Sequence, residues 1–290
     1  MNFYGGTLSD YSTDLFTARA EAFINSTPTS QPFFLYLAPF APHFGYVPHP
    51  SDTDSFAGIA PWRPPSYNEI NVSDKPLWVR QLPLINSSRS SSGDLVRQRQ
   101  IETLQAVDRS IGRLINILNQ TGRLNNTVII YTSDNGLTWG EHRILNEKIC
   151  VYEECGRVPL WVHVPGIQAR SEGKLVENID FAPTIAELAG ITVPNFVNGM
   201  SFVGLLSNPT MPWRNEILLE GWGQYRGQTN SRGFSAVRTP QYVYAVYNNS
   251  NQEFYDLAVD PYQLTNRVNN ISYNTTITQL KNALNILKTA

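Results

Sequence analysis

An aspartate and an asparagine stand side by side at the point where a run of strand-forming residues ends. Residues 128–133 are mostly β-branched or aromatic, and Asp134, Asn135 and Gly136 follow at once. A carboxylate beside an amide oxygen suits a hard cation such as Ca²⁺ or Mg²⁺. Asp-Asn-Gly is also a common turn without any metal, so the spacing alone leaves both interpretations open.

Further polar residues that could act on an anion lie near this turn or after an earlier apolar run. Glu141, His142 and Lys148 occupy the loop that follows, and His43 ends the sequence Ala-Pro-His. Ligands of open α/β sheets bind beyond the carboxyl ends of the strands, which makes these loops candidate positions. A lysine and a histidine there would balance an anionic ligand. The ordinary alternatives are a solvated lysine and a capped loop histidine.

The composition is that of a globular protein. Hydrophobic residues make up 41% and charged residues 16% of the 290 residues. The formal net charge of −2 gives no electrostatic attraction to nucleic acid or to an anionic membrane. No apolar run approaches the ~20 residues of a membrane-spanning helix. The length suits one large α/β domain, or a main domain with a small appendage.

The cysteines and histidines indicate no zinc site. The two cysteines, Cys150 and Cys155, could form a mutual disulfide across a loop, pair with partners elsewhere, or remain free thiols. In a helix their side chains would point to different faces. The four histidines lack zinc-binding spacing. His163 lies within an apolar run, so we expect it to be packed in the core.

Asn-x-Ser/Thr sequons are frequent in this chain and indicate a secretory protein. The first twenty residues contain neither the basic nor the apolar region of a signal peptide. We therefore expect a secreted protein whose true beginning is missing from this sequence. The eight sequon asparagines, which are candidate glycosylation sites, are Asn25, Asn71, Asn86, Asn119, Asn125, Asn248, Asn270 and Asn274.

Helix and strand patterns alternate over most of the chain. Apolar residues recur at spacings of three and four in three segments, which predicts helices over residues 13–24, 94–119 and 180–190. Short continuous apolar runs predict strands that are buried on both faces over residues 32–40, 128–133 and 158–166. Residues 41–92 form a Pro/Ser/Asn-rich excursion, and loops of that length are usually functional.

This alternation predicts an α/β fold in which a largely parallel sheet lies between helices. The pattern changes after about Leu206. Short strands over residues 216–221, 233–239 and 242–248 predict an antiparallel sheet, and residues 277–287 predict a closing amphipathic helix. We therefore predict a main domain over residues 1–206 and a small α+β subdomain over residues 207–290.

Several motifs, in their order along the chain, resemble the sulfatase family of the alkaline-phosphatase superfamily. The likeness is strongest to the N-acetylglucosamine-6-sulfatase-like and arylsulfatase branch, and it covers nearly the whole chain. It implies an alkaline-phosphatase-like mixed, largely parallel sheet with a C-terminal antiparallel subdomain. The motifs are PFFLYLAPFAPH, AVDRSIGRLINIL, YTSDNG, GEH, EKICVYEECGRVPLWVHVPG, NIDFAPTIAELAGI and EFYDLAVDPYQLTN.

The resemblance implies a role for each candidate residue in hydrolysis of a sulfate ester on a small molecule or a glycan. Asp134 and Asn135 match the pair that binds a divalent cation, usually Ca²⁺. Lys148, in the pattern Lys-x-x-x-Tyr-Glu, matches the lysine that holds the sulfate oxygens. His43 matches the histidine that contacts the sulfate and the leaving-group oxygen. His142 is a weaker match and is expected to line the pocket.

The sequence departs from the family at the nucleophile. Sulfatases use a formylglycine made from the Cys or Ser of a Cys/Ser-x-Pro-x-Arg motif, and neither Cys150 nor Cys155 has that context. Ser26 has a proline in the right place, but Ser30 stands where the arginine should be. The family's paired aspartates, two further metal ligands, are also absent. We expect the C-terminal part of a secreted or lysosomal sulfatase. The alternatives are an inactive remnant and a phosphodiesterase or phosphonate hydrolase of the same superfamily.

Overall fold

The computed structural model describes residues 10–222 and 232–289, which divide into two compact units. The first unit comprises residues 10–62, Asn86–Ile129 and His163–Gly166. The second comprises Arg63–Ile85, Ile130–Val162 and the described residues from Ile167 onward. Both units are discontinuous in sequence. The predicted domain boundary after residue 206 falls inside the second unit and stays a prediction.

Two long helices form the core of the first unit, and both predicted helices are confirmed. Helix α1 (Ser12–Ser26) packs against helix α3 (Ser87–Gln120). The hydroxyl of Thr17 donates a 2.7 Å hydrogen bond to Ser110 Oγ at their buried interface. Helix α3 begins well before the predicted residue 94, because the Asn86 side chain caps its N-terminus by accepting from the Arg89 backbone N–H.

Ion pairs fix the preceding segments of the first unit to the surface of α3. Arg109 donates two parallel 2.7 Å hydrogen bonds to the carboxylate of Asp52, and Arg113 binds Glu21 of α1. The Asp52 carboxylate is nearly buried, and the Arg109 guanidinium holds its pKa below the usual value. A bidentate pair of this kind has a defined geometry, so it orders part of the predicted excursion.

The apolar run over residues 32–40 is extended, but it forms no strand in the part of the chain that the structure describes. Alternate side chains point to solvent, with Phe34, Tyr36 and Phe40 exposed by 63%, 79% and 58%. Leu35 and Leu37 lie against α1 and line a groove with it. The prediction of a strand buried on both faces is therefore wrong, because only one face of this segment is covered.

Strands β1 (Ile129–Thr132) and β2 (Leu160–His163) form a two-stranded sheet. Their predicted positions are confirmed, whereas their predicted burial is wrong. Trp161 is 71% exposed, and His163 is exposed as well, so His163 is no core histidine. An apolar strand is buried on both faces only where further elements cover it, and the described residues place little over this sheet.

The predicted C-terminal antiparallel sheet is confirmed. Its strand order is β3-β4-β5-β6, with Leu219 opposite Ala236, and Ala245 opposite Glu253. One face packs against the apolar side of helix α7, the predicted closing helix. The other face packs against Val151 and its neighbours. The elements are β3 (Ile217–Gly221), β4 (Phe234–Arg238), β5 (Tyr242–Tyr247), β6 (Gln252–Asp256) and α7 (Asn274–Leu287).

The remaining helices in the described ranges are short. The predicted helix over residues 180–190 is confirmed as α5, whose Pro183 lies in the first turn. No helix in the described ranges is both long enough and apolar enough to cross a membrane. The remaining helices are α2 (Leu77–Arg80), α4 (Glu153–Gly156), α5 (Phe181–Leu188) and α6 (Val203–Ser207), with 3₁₀ turns at Leu124–Asn126, Asn178–Asp180 and Ile271–Tyr273.

Candidate functional site

The five candidate site residues divide between the two units. His43 belongs to the first unit, and Asp134, Asn135, His142 and Lys148 belong to the second. The imidazole of His43 is exposed and lies 4.9 Å from the ring of Phe40, measured between centroids. Its position leaves the ring nitrogens accessible to a ligand.

The aspartate turn, residues 133–136, directly follows β1. The carboxylate of Asp134 is exposed and accepts a 3.0 Å hydrogen bond from the backbone N–H of Asn135. The Asn135 side-chain amide donates to the Gly136 carbonyl oxygen at 2.8 Å, which orients its own oxygen away from that carbonyl. Within the described ranges, the Asp134 carboxylate has no cationic partner.

Gly136 fixes this turn against the backbone of helix α4. Its N–H donates to the Cys155 carbonyl oxygen at 2.9 Å. A Cβ atom at this position would lie 1.9 Å from the Glu154 carbonyl oxygen. Gly136 is therefore required by a close approach of two backbones, whereas its φ lies outside the left-handed region.

The lysine segment, residues 147–150, carries the candidate anion ligand. The Glu147 carboxylate accepts hydrogen bonds from the backbone N–H groups of Lys148 at 2.9 Å and Ile149 at 3.0 Å. The Lys148 side chain is half-buried, and no carboxylate described in the structure pairs with its ammonium group. A partly desolvated cation without a partner is a favourable place for an anion.

Thr138, two residues beyond the aspartate turn, is hydrogen-bonded to the start of the lysine segment. Its backbone N–H donates to the Glu147 carbonyl oxygen at 3.1 Å, and its hydroxyl accepts from the Glu147 N–H at 3.0 Å. Its own carbonyl oxygen accepts from Asn146 at 2.9 Å. Thr138 is fully buried, so water does not compete with these bonds.

Cys150 and Cys155 form a disulfide, which decides among the three alternatives left open by the sequence. Their Cα atoms are 5.6 Å apart, and the two side chains are 5% and 4% exposed. Cys150 lies outside any helix, so the geometric objection for a helical pair does not arise. Neither sulfur is a free thiol, and neither cysteine is available as a nucleophile.

His142 is fully buried and holds the loop that carries it. Its Nδ1 lies 2.7 Å from a Glu69 carboxylate oxygen, and its ring stacks on Tyr152 with centroids 4.1 Å apart. Both His142 and Arg143 have left-handed backbones, with φ of 51° and 67°. Such strain in non-glycine residues persists only where surrounding contacts enforce it. These contacts give His142 a structural role, and its predicted contact with substrate stays a prediction.

Residues 63–85, part of the long loop segment predicted over residues 41–92, support this loop. The Arg143 guanidinium donates to the carbonyl oxygens of Glu69, Ile70 and Leu82 at 2.6 to 3.0 Å. Glu69 also lies 3.8 Å from the buried ammonium group of Lys75. Residues 63–85 thus anchor the loop that precedes Lys148 within the second unit.

A buried carboxylate holds Tyr152, two residues beyond the lysine segment, to the C-terminal sheet. Glu253 of β6 is fully buried and accepts hydrogen bonds from the hydroxyls of Tyr152, Tyr247 and Tyr255 at 2.9, 2.5 and 2.5 Å. Burial raises the pKa of Glu253, although the three hydroxyls and the charge of Lys75 oppose the shift. The sequence motifs do not point to this group, whose one signal is a lone glutamate among inward-facing strand residues.

The donors present fit a hard cation in type but are few. Asp134 and Asn135 carry three side-chain oxygens between them, whereas Ca²⁺ prefers about six to eight oxygen ligands. The described residues contain no cluster of three or more His, Cys, Asp or Glu side chains that could hold a metal. Any divalent cation bound at this turn would therefore take most of its ligands from elsewhere.

Comparison with known proteins decides the family. The family model described as Sulfatase matches residues 2–191, and the model described as N-sulphoglucosamine sulphohydrolase, C-terminal, matches residues 140–290. This chain belongs to the sulfatase family. N-acetylglucosamine-6-sulfatase from Bos taurus is 32% identical over 291 residues, which cover 89% of this chain and 52% of that protein. This sulfatase chain thus spans about half the length of the curated relatives it matches.

Solved structures confirm the predicted alkaline-phosphatase-like fold of this sulfatase. A protein solved in complex with its substrate D-glucosamine-2-N,6-O-disulfate has a TM-score of 0.83 at 23% identity and covers 96% of this chain and 69% of its own. The phosphonate monoester hydrolase of Agrobacterium radiobacter has a TM-score of 0.80 at 20% identity and covers 98% of this chain and 62% of its own. Members of the sulfatase family use a metal ion.

Proposed function

We propose that this chain carries the cation-binding turn and the sulfate-binding lysine of a sulfatase that acts on sulfated sugars. One observation carries the proposal. Among the described residues, the exposed carboxylate of Asp134 has no cationic partner, and the half-buried ammonium group of Lys148 has no anionic partner. Thr138, two residues beyond the aspartate turn, is hydrogen-bonded to Glu147, the residue before Lys148. A cation and a sulfate oxygen would satisfy the carboxylate and the ammonium group.

The proposed chemistry follows from the charges that develop in sulfate-ester hydrolysis. Negative charge remains on the non-bridging sulfate oxygens, and it grows on the oxygen of the departing alcohol. Lys148 would hold the non-bridging oxygens with a charge-assisted hydrogen bond. His43 would donate a proton to the leaving oxygen, a contribution that is typically ~10²–10⁴-fold in rate. A divalent cation held by Asp134 and Asn135 would supply additional electrostatic stabilisation.

The sugar class is proposed from the relatives. The Bos taurus relative is an N-acetylglucosamine-6-sulfatase, and the solved neighbour binds a glucosamine carrying N- and 6-O-sulfate groups. A 6-O-sulfated glucosamine unit is therefore the substrate class that we propose for the complete enzyme. The phosphonate hydrolase neighbour shows the shared fold alone and supports no second function.

An extracellular or lysosomal location is proposed for the same reasons. Relatives include extracellular sulfatases. A disulfide indicates an oxidising compartment. Seven of the eight sequon asparagines are exposed, as glycosylation requires, and Asn270 is half-buried because its side chain caps a 3₁₀ turn by accepting from Ser272.

The proposal is tested by calorimetric titration of the chain with CaCl₂ and, separately, with sodium sulfate. With so few ligands, we expect Ca²⁺ to bind with a Kd of about 1 mM or weaker. Asp134→Ala should weaken Ca²⁺ binding and leave sulfate binding in place. Lys148→Ala should weaken sulfate binding by about tenfold to a hundredfold, the worth of one charge-assisted hydrogen bond.

Matched controls remove the same charges elsewhere in the second unit. Glu187→Ala and Lys288→Ala delete exposed groups and should leave both affinities unchanged. Equal losses of affinity in the control variants would show that the effect comes from the net charge of the protein. The proposal would then be wrong. Binding of inorganic phosphate in place of sulfate, with the same dependence on Lys148, would favour the phosphodiesterase alternative.

A further inference from the structure

The disulfide lies at the junction of the two segments that carry the proposed ligands. The Cys155 carbonyl oxygen accepts the Gly136 N–H of the aspartate turn at 2.9 Å. The Cys155 sulfur lies 3.7 Å from the Glu147 carbonyl oxygen at the start of the lysine segment. A disulfide sulfur carries no hydrogen, so this second contact is packing rather than a hydrogen bond. Cys155 thus touches both segments directly.

The disulfide bond links Cys155 covalently to the end of the lysine segment. Cys150 ends the lysine segment, only two residues after Lys148, and its sulfur is joined to Cys155. The chain between the two cysteines includes Tyr152, whose ring stacks on His142 and whose hydroxyl donates to Glu253. The short helix α4 is held in turn by Arg238, which donates two hydrogen bonds to the Glu153 carboxylate at 2.8 and 3.0 Å.

We infer that the Cys150–Cys155 disulfide is a positioning element of the proposed site, fixing Lys148 relative to Asp134 and Asn135. The inference rests on the proposed function, in which one sulfate group meets both a cation and the lysine. An ammonium group and a cation act together on one anion only when their separation is held within a fraction of an ångström of the productive value. Both groups lie on irregular segments, which are mobile unless they are tied down.

The disulfide restricts those segments more than the Thr138 hydrogen bonds alone. Hydrogen bonds between loops open locally at low cost, whereas a covalent link removes the open arrangements altogether. Both sulfurs are buried against the C-terminal sheet, in the same apolar cluster as Val151 and Tyr255. The sheet therefore supports the end of the lysine segment through this packing.

Hydrogen exchange measured by mass spectrometry tests the inference directly. Three forms of the chain are compared: the oxidised protein, the protein reduced by dithiothreitol, and the Cys150→Ala/Cys155→Ala variant. Reduction transfers two electrons and two protons from dithiothreitol to the two sulfurs, and dithiothreitol becomes a cyclic disulfide. In the reduced and variant forms, exchange should rise at least about tenfold in peptides spanning residues 134–139 and 146–150. Peptides from β4 to β6 should not change.

Two controls separate positioning from general stability. Tyr273→Phe removes a 3.1 Å hydrogen bond to Asp256 on the far side of the sheet and should leave exchange in both segments as in the parent. Re-oxidation of the reduced chain should restore the original protection. Unchanged exchange in the aspartate turn would overturn the inference. A uniform rise that includes β4 to β6 would also overturn it, because the disulfide would then stabilise the whole unit.

Titration with MgCl₂ and sodium sulfate, which remain dissolved together where CaCl₂ and sulfate would precipitate, gives the second readout. In the oxidised chain, a saturating level of either ion should tighten binding of the other, and this coupling should disappear in the reduced form. If the oxidised chain binds neither ion, the proposed function fails, while the exchange experiment still decides whether the disulfide positions the segments. If both ions bind and their coupling survives reduction, the positioning role fails and the proposed function stands.

Discussion

The chemistry of the aspartate turn depends on a residue without a side chain. Gly136 lies so close to the Glu154 carbonyl oxygen that any larger residue would push the turn away from α4. Asp134 and Asn135 precede it directly, so their positions follow from this contact. Gly136 therefore sets the position of the two proposed ligands, although it offers no ligand itself.

Gly136→Ala should move the aspartate turn and weaken its cation site. A Cβ atom 1.9 Å from a carbonyl oxygen cannot be accommodated without backbone movement. We expect a loss of about 1–3 kcal/mol in the free energy of unfolding, as for other overpacked sites, together with weaker Ca²⁺ binding. Urea unfolding and CaCl₂ titration measure the two effects.

Gly173→Ala is the matched control for this prediction. A Cβ atom added at Gly173 would meet no heavy atom within 4 Å, so the change should stay within about 0.5 kcal/mol. Equal stability of the two alanine variants would show that the turn tolerates a side chain. The proposed contact between Gly136 and α4 would then be wrong.

The proposed ligand residues are visible in the sequence, but the contacts that hold them are not. The Asp-Asn-Gly and Lys-x-x-x-Tyr-Glu motifs are local, so they are visible in the sequence. The partners of these residues come from distant segments, as Glu69 does for His142 and Glu253 for Tyr152. Local spacing carries no information on such pairs. The disulfide was left open for the same reason.

At the scale of elements, helices were easier to predict than the burial of strands. The periodic apolar pattern of α3 requires only one neighbouring helix, and α1 supplies it. The apolar runs at residues 32–40 and in β2 require neighbours on two faces. The sequence of a strand does not reveal whether those neighbours belong to the same chain. Their exposure, 79% for Tyr36 and 71% for Trp161, was therefore unpredictable.

Strand β6 contains a buried carboxyl group, Glu253, that should make the stability of the second unit depend on pH. Glu253 has a folded pKa above its ordinary value of 4.5, chiefly because it is buried. The groups that face it are the hydroxyls of Tyr152, Tyr247 and Tyr255, and Lys75 contributes a nearby positive charge. The folded state therefore holds this proton more tightly than the unfolded state does.

Glu253→Gln should remove one component of the pH dependence of unfolding. Because the folded pKa is raised, the stabilisation from this group is fully present below pH 4.5 and is lost as the pH rises through the folded pKa. The free energy of unfolding of the parent should therefore fall relative to that of the glutamine variant across this window, then run parallel above it. Urea unfolding at a series of pH values from about 4 to 8 measures the difference.

Tyr247→Phe is the control for this titration. It removes a 2.5 Å hydrogen bond that lowers the Glu253 pKa, so the window should extend to higher pH. The titrating carboxyl itself remains. A difference between parent and Glu253→Gln that is constant at every pH would mean that the folded and unfolded pKa values are equal. Burial would then not control this group.

At the scale of the whole molecule, the chain carries the ligands that we propose for sulfate-ester hydrolysis, but its sequence shows no motif for the nucleophile of that reaction. It spans about half the length of its curated relatives, and it contains no Cys/Ser-x-Pro-x-Arg motif. Both cysteines are committed to a disulfide. The sulfatase family and the two donors at Asp134 and Asn135 support the proposal that this chain carries part of a sulfatase site.

This chain should therefore hydrolyse neither nitrocatechol sulfate nor glucosamine 6-sulfate above the rate in buffer. Covalent catalysis of sulfate-ester cleavage requires an activated nucleophile, and electrostatic stabilisation by Lys148 does not replace it. Release of nitrocatechol and of inorganic sulfate measures the rate, with Lys148→Ala as the matched background. Turnover by the parent that disappears in Lys148→Ala would contradict the prediction, because it would place a working nucleophile within reach of this lysine. Equal background rates in both proteins are the expected result, and they leave the binding of sulfate and of the cation to the titrations.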